Sequence, residues 1–222
     1  MIKITNPLYP SDEQWMMTVH GVRNPYASWD KSDSEWFRYE VNDYDVIKNY
    51  RLGEKDLALM SKLAKAGDDH GKFMRMLPVI STITAPFYWW KEMDQYKVGT
   101  VTDSCSTMHN LLDKPFEAED FSFDDGVNSG FEIISLSTMD ALNNLRDQYL
   151  STSDPAVRKI IWRAIVQSLP CGYNQKRTWF GNYQVLRHIY HARKDHKLQE
   201  WHEFCDWIER IPHAKELIVG EP

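Results

Sequence analysis

The run from Lys176 to Lys194 concentrates side chains suited to holding a ligand. Taken as one helix at about 100° per residue, it places Trp179, Tyr183, Leu186 and Tyr190 on an apolar stripe. Asn182 and Arg193 share a second side, about 16 Å apart along the axis. Gln184, His188 and His191 occupy the side opposite that pair. Polar clusters on two opposed faces, with aromatic bulk between, suit a helix lying between two ligand sites or two subunits. A plain solvent face for Gln184, His188 and His191 fits the spacing as well. His188, His191 and His196 invite a metal reading, because imidazoles three residues apart on a helix can converge on one ion. There is no HExxH pattern and no carboxylate partner at ligand spacing, so no metal is expected. A second polar run, Thr102-Asp103-Ser104-Cys105-Ser106-Thr107, offers amides and hydroxyls to an anion, or simply makes a turn. No base for the Cys105 thiol is visible in the sequence. Neither GxGxxG nor GxxxxGK[ST] occurs, so a nucleotide has to be held by other means.

Composition narrows the classes. Twenty-six basic against 32 acidic residues leave a net charge of -6, which gives no footprint for nonspecific nucleic-acid binding. Cys105, Cys171 and Cys205 are far apart and odd in number, which argues against a disulfide framework or a cysteine zinc site and fits a reducing, cytoplasmic compartment. The first residues lack an apolar leader core, and no apolar run approaches the roughly 18 residues of a membrane span, so no membrane partner is expected.

The elements that must position these residues follow from periodicity and stop signals. Residues Ser11 to Asp56 keep neither period for long and read as mixed strand and helix. Leu57, Met60, Leu63 and Ala64 recur at helical spacing before Gly67, giving a helix from Glu54 to Ala66. Phe73 to Thr84 is β-branched around Pro78 and predicts a strand, after which Thr84 caps a helix with Pro86 in its first turn. Residues 112–130 are acidic and rich in turn formers, and predict an exposed loop. Further helices are expected from Ser137, from Pro155 to Ser168, from Lys176 to Lys194 and from Leu198 to Arg210. A single domain over 1–222 is expected.

Two blocks, Val79 to Ser106 and Leu169 to Trp201, resemble the flavin-dependent thymidylate synthases. In the second block Leu169-Pro170, Trp179, Asn182, Leu186, Arg193, Asp195 and Gln199 fall at the family's spacing without a gap. The resemblance implies an α+β fold with a small antiparallel sheet and a dominant set of helices. It also implies a homotetramer with sites between subunits, and an enzyme that methylates dUMP to dTMP using FAD, methylenetetrahydrofolate and NADPH. In that setting Asn182, Gln184 and His188 face the flavin, and Arg193 holds the nucleotide phosphate. His70, Lys72, Tyr96 and Lys97 take further cofactor positions. Glu92, Gln95, Asp103, Ser104, Cys105 and Ser106 surround the base, and no residue acts as a covalent catalyst.

The chain departs from the pattern in the first block. Gln95-Tyr96-Lys97 stands where the family has Arg-His-Arg, and Cys105 stands at a serine position. Gln184 replaces an arginine, and the expected phosphate-binding arginines fall at Thr107 and Val166. Arg163, Lys176, Arg177 and Arg187 are the candidates to replace them. These departures keep open a divergent flavoenzyme acting on another pyrimidine nucleotide, or a noncatalytic binding module on the same scaffold.

Overall fold

Ser11 starts the first helix for a local reason. Its hydroxyl accepts from the Gln14 amide at 3.3 Å while the Gln14 side chain accepts from the Ser11 amide at 2.8 Å. The computed structural model describes residues 2–40, 46–123 and 129–220. The elements run β1 (Lys3–Leu8), α1 (Asp12–Arg23), β2 (Glu35–Glu40), β3 (Val46–Arg51), α2 (Glu54–Lys65), β4 (Pro78–Pro86) and α3 (Phe87–Met93). They continue with β5 (Val101–Ser104), α4 (Ser129–Ser151), α5 (Pro155–Ser168), β6 (Asn174–Asn182), α6 (Tyr183–Arg193) and α7 (Gln199–Glu209). Strands pair in the order β1-β4-β6-β5, and β2 and β3 form an antiparallel hairpin. The architecture is α+β, with a small antiparallel sheet and a dominant set of helices. Among the described residues no helix is long and apolar enough to cross a membrane.

The chain forms two compact units, Thr5–Ser81 with Tyr96–Thr102 and Trp179–Pro222, and Met1–Ile4 with Thr82–Gln95 and Asp103–Thr178. In the first and larger unit, α6 packs against a short 3-10 turn at Gly71–Met76, against α7 and against a π-helical turn at Lys215–Val219. Met60, Leu77, Trp179, Leu186, Trp201, Phe204 and Leu217 are buried around it. Phe204 meets Trp179 and Trp201 edge-on, with centroids 6.2 and 5.9 Å away, an arrangement that suits the ring quadrupoles. The Tyr183 hydroxyl donates to the Pro212 carbonyl at 2.7 Å, and burial pushes its pKa far above the ordinary range.

The second unit is built on α3, α4 and α5. Leu142 of α4 and Ile165 of α5 close over Leu111, Phe116 and Phe121. The last two belong to the segment expected to be an exposed acidic loop. Asp113, Glu117 and Glu119 are exposed there, but Phe116 among them and Phe121 just after them are buried. Asn143 fixes the segment, accepting from the Phe116 amide at 2.8 Å and donating to its carbonyl at 3.0 Å. Residues 124–128 of that expectation lie outside the described residues.

Four boundaries differ from the sequence reading. Gly71–Met76 is a 3-10 turn, so β4 begins only at Pro78. Pro86, rather than Thr84, takes the cap position of α3. Helix α4 starts at Ser129, before Ser137. The largest change concerns 176–194, where the first seven residues of the expected helix belong to strand β6 and the helix proper begins at Tyr183. Thr178, Trp179 and Phe180 are β-branched or aromatic and favour an extended chain. Gly181 keeps it passable, because a Cβ there would lie 2.2 Å from Cη2 of Trp179.

Candidate functional site

Eight of the residues singled out by sequence fall in the larger unit: His70, Lys72, Tyr96, Lys97, Asn182, Gln184, His188 and Arg193. Helix α6 and its entry position most of them. Asn182 is extended and caps α6, its side-chain oxygen accepting from the Val185 amide at 3.1 Å. The 96–100 loop closes on this cap. Gly99 sits at φ +80°, where a Cβ would come 3.1 Å from the side-chain Nδ2 of Asn182, so both conformation and space call for glycine.

Of the two polar faces expected on this helix, Gln184, His188 and His191 lie within α6, with His188 exposed, whereas Asn182 precedes the helix as its extended cap and Arg193 is the member of the second face that α6 carries. On one, Gln184 is only 4% exposed and accepts from the Arg75 guanidinium. His188 lies 3.1 Å from the Asp68 carboxylate. Hydrogen bonds from His188 and then Gln184 hold the Asp68 carboxyl below its usual range. His191 pairs with the Ile218 carbonyl at 3.1 Å, and its pKa is pulled down by burial and then by Arg187. On the other face, Arg193 donates through Nε to the Tyr96 hydroxyl at 2.8 Å, and its guanidinium lies 4.8 Å from the Trp201 ring.

His70 and Lys72 line a cleft of about 780 Å³ between the end of α1, the end of α2 and the 3-10 turn. Met17, His20, Tyr26 and Met76 complete much of its wall. The His20 ring stacks on Trp29 with centroids 5.8 Å apart. Lys72 is exposed and has no ion pair among the described residues. An apolar, aromatic recess with a cation at its rim suits a large planar group bearing phosphate. Sequence reasoning missed the α1 wall, because Met17, His20 and Tyr26 lie in the stretch where neither period holds.

The smaller unit holds Glu92, Gln95, Asp103, Ser104, Cys105 and Ser106. The Gln95 side chain turns back to the Glu92 carbonyl at 2.7 Å. Asp103, Ser104 and Cys105 are exposed. The anion cradle suggested by this run is partly spent. The Cys105 amide donates to the Lys176 carbonyl at 2.9 Å, and the Ser106 hydroxyl accepts from the Met108 amide at 3.0 Å. Two of the four substitute cations are also committed. Arg187 is 5% exposed and donates to the Leu217 and Ile218 carbonyls, both at 3.1 Å. Arg177 pairs with Asp94 at 2.7 Å and lies 4.2 Å from the Trp90 ring. Arg163 and Lys176 are exposed.

The double role of Asn182 gives a clean test. Asn182→Ala removes the cap and costs about 1 kcal/mol, read by urea denaturation. Asn182→Asp keeps a capping oxygen, so its stability stays close to that of the parent chain while the amide donor is gone. A flavin defect confined to the alanine variant would assign the side chain to capping alone.

No protein-family model matches the sequence, and no curated protein does. Solved structures do match. Thymidylate Synthase X (ThyX) from Helicobacter pylori with FAD and dUMP superposes with a TM-score of 0.67 at 16% identity, covering 98% of this chain and 97% of that one. A second Helicobacter pylori structure, described as flavin dependent thymidylate synthase ThyX complexed with FAD and dUMP, gives 0.65 at 16% identity with the same coverage. The UMP/dUMP methylase PolB from Streptomyces cacaoi, bound with 5-Br dUMP, gives 0.60 at 14% identity over 100% of this chain and 95% of that one. The chain therefore carries the fold of the flavin-dependent thymidylate synthases.

Proposed function

We propose that the protein is a flavin-dependent enzyme of the thymidylate synthase type, methylating dUMP to dTMP with FAD as cofactor and methylenetetrahydrofolate and NADPH as co-substrates. The observation that carries this reading is the placement of His70 and Lys72 on an apolar cleft of about 780 Å³, in the same unit as Asn182, Gln184, His188 and Arg193. The residues present fit the cofactor: the cleft accepts planar apolar surface, and Lys72 offers an ammonium to a diphosphate. A bound flavin supplies the hydride and one-carbon chemistry there. The chain's own residues bind and orient. Lys72 and His70 hold the cofactor's phosphate side, and Asn182 and His188 border the ring. Arg193 takes the nucleotide phosphate against Trp201. This division needs no protein nucleophile, in keeping with the absence of any base beside Cys105 in sequence.

A second reading, a flavoenzyme acting on another pyrimidine nucleotide, draws on Thr107 and Val166 where phosphate arginines were expected and on the commitment of Arg177 and Arg187 elsewhere. The assembly belongs to the same proposal: a homotetramer with sites between subunits, checked by light scattering. The free cysteines, with Cys105 and Cys171 exposed, support a cytoplasmic setting.

The test is direct. Purified protein is expected to bind FAD, to lose its flavin colour on addition of NADPH, and to give heat on titration with dUMP. Lys72→Glu should weaken FAD about tenfold through loss of a charge-assisted contact. Protein that takes up no FAD would be a noncatalytic module on this scaffold. FAD uptake without any dUMP heat at millimolar nucleotide would move the substrate to another pyrimidine.

A further inference from the structure

Two tryptophans, Trp29 and Trp36, wall a recess that takes no part in the reading above. Its floor is one face of α1, where Met16, Val19, His20 and Arg23 fall at i, i+3, i+4 and i+7. The β2–β3 hairpin closes over that face. Trp36 and Tyr50 are directly opposed in its register, which sends both side chains to the same side, with ring centroids 5.3 Å apart at 59°. The hairpin is held to α1, because the Tyr50 amide donates to the Asp12 carboxylate at 2.7 Å and the Trp36 indole N–H to the Met16 sulfur at 3.2 Å. A 3-10 turn at Trp29–Lys31 brings in Trp29, stacked on His20. The recess measures about 240 Å³, below the roughly 300–1,000 Å³ of sites for drug-sized ligands. All of these residues belong to the larger unit.

The wall offers aromatic rings, while its polar groups are largely spent within the chain. The hydroxyls of Ser32 and Ser34 donate to the Asp56 carboxylate. The Trp29 indole N–H donates to the Asn24 side chain at 2.9 Å, and Arg23 is committed to Asp56 and the Ser28 carbonyl. A ligand that depends on hydrogen bonds or on a counter-cation finds little here. The local charge favours a cation instead. Arg23 is matched by Asp56 and Glu35 by Arg51, whereas Asp33, which accepts the Lys55 and Asp56 amides, has no ion pair among the described residues. Burial raises the Tyr50 pKa, a hydrogen bond with Ser34 opposes the rise, and the Asp56 and Asp33 charges add to it, so the phenol stays neutral beside negative groups. The Trp36 ring already attracts one ammonium, that of exposed Lys48, 4.2 Å from its centroid and outside the wall.

We propose that this recess binds a trimethylammonium head through cation–π contact with Trp29, Trp36 and Tyr50. Such a head spreads its charge over methyl groups and has no N–H, so it needs ring surface rather than hydrogen-bond acceptors. Its arm leaves past the exposed Glu35. A small free molecule of the choline type and a trimethylated lysine side chain present the same head.

The experiment uses the full parent chain and follows the N-methyl proton resonance of choline and, separately, of Nε-trimethyl-lysine. Saturable binding at millimolar concentration or below is expected, with the resonance moved upfield by the ring currents, and the tighter probe names the source. The carbon analogue of choline, in which a neutral tert-butyl group replaces the trimethylammonium, should bind at least tenfold more weakly. Trp29→Leu and Trp36→Leu keep apolar bulk but remove a ring, and each should weaken choline about fivefold or more, with thermal midpoints reporting that the variants fold. Should Trp36→Leu not fold, the Trp29 variant and the neutral analogue still decide. Lys72→Glu, on the flavin cleft that shares His20 with this recess, should leave choline affinity unchanged. Equal affinity for choline and its neutral analogue overturns the proposal, as does no shift of either probe at tens of millimolar, or unchanged choline affinity in the folded tryptophan variants. Loss of choline binding in Lys72→Glu would move the choline to the flavin cleft and overturn it too. Flavin uptake is read from the visible spectrum of the same chain, so the two readings can fail separately.

Discussion

Replacing Asp56 by alanine should lower the stability of the folded chain by about 3–5 kcal/mol, the range for removing one partner of a buried ion pair. Asp56 is 1% exposed and sits in the first turn of α2. One carboxylate oxygen accepts from Arg23 Nε at 2.5 Å. The other accepts from the hydroxyls of Ser32 and Ser34, each at 2.6 Å, and from the Ser34 amide at 3.1 Å. Arg23 in turn donates to the Ser28 carbonyl at 3.1 Å. One carboxylate thus ties the end of α1 and the 28–34 chain to the start of α2. In Asp56→Ala the Arg23 guanidinium stays buried without its counter-charge. Asp56→Asn keeps hydrogen-bonding capacity and should lose less.

The pH dependence has a definite sign. Burial raises the Asp56 pKa, but the hydrogen bonds from Ser32, Ser34 and Arg23 together with the Arg23 charge outweigh it, so the folded-state value lies below the ordinary one. A depressed carboxylate contributes stability that is complete above its unfolded pKa of about 3.9 and is lost as pH falls through the folded value. Urea midpoints of the parent chain should therefore fall below about pH 4, and those of Asp56→Ala should fall less over the same interval. A loss under about 1 kcal/mol at neutral pH, with parallel acid profiles, would show that the network does not hold this part of the fold.

Neither Asp56 nor its partners stood out in the sequence. An aspartate in the first turn of a helix is explained by the helix alone, and Arg23, Ser32 and Ser34 lie 22 to 33 residues away. The same distinction runs through the chain. Helix α5 was legible because its signals are local: Asp154 caps it, accepting from the Ala156 amide at 2.8 Å, and Pro155 takes the first turn. Helix α2 likewise ends before Gly67, which sits at φ +99°. The strand-to-helix switch at Asn182 was hidden, because Trp179 also satisfies a helical stripe with Tyr183 and Leu186. The aromatic run ending in Gly181, directly before a capping asparagine, was the signal available for it. The face of α6 that carries Gln184, His188 and His191 was legible from periodicity, but the pairing of Asn182 with Arg193 on a second face was not, because Asn182 is extended; nor were the partners, because Asp68, Arg75, Tyr96 and Trp201 come from separate segments that only the fold brings together.

Arg193→Ala should weaken a pyrimidine nucleoside monophosphate about a hundredfold while leaving flavin content unchanged. The guanidinium is held by its environment: Nε donates to the Tyr96 hydroxyl at 2.8 Å, and the plane lies 4.8 Å from the Trp201 ring and 5.7 Å from that of Tyr96. A cation fixed in this way reaches a phosphate with little further loss of rotamer freedom, and a charge-assisted pair contributes about 1.5–3 kcal/mol, or roughly ten- to hundredfold in affinity. The upper end applies because two of the four candidate replacements, Arg177 and Arg187, are engaged elsewhere. Arg193→Lys separates charge from shape. Lysine keeps the positive charge but has neither a planar face for Trp201 nor a fork for two phosphate oxygens, so it should recover only part of the loss. Calorimetry with dUMP on flavin-loaded protein reads the affinity, and the visible spectrum of the same sample reads the flavin. Equal dUMP affinity in the parent, alanine and lysine chains would remove Arg193 from the nucleotide site and leave it as a clamp between the 96–100 loop and α7.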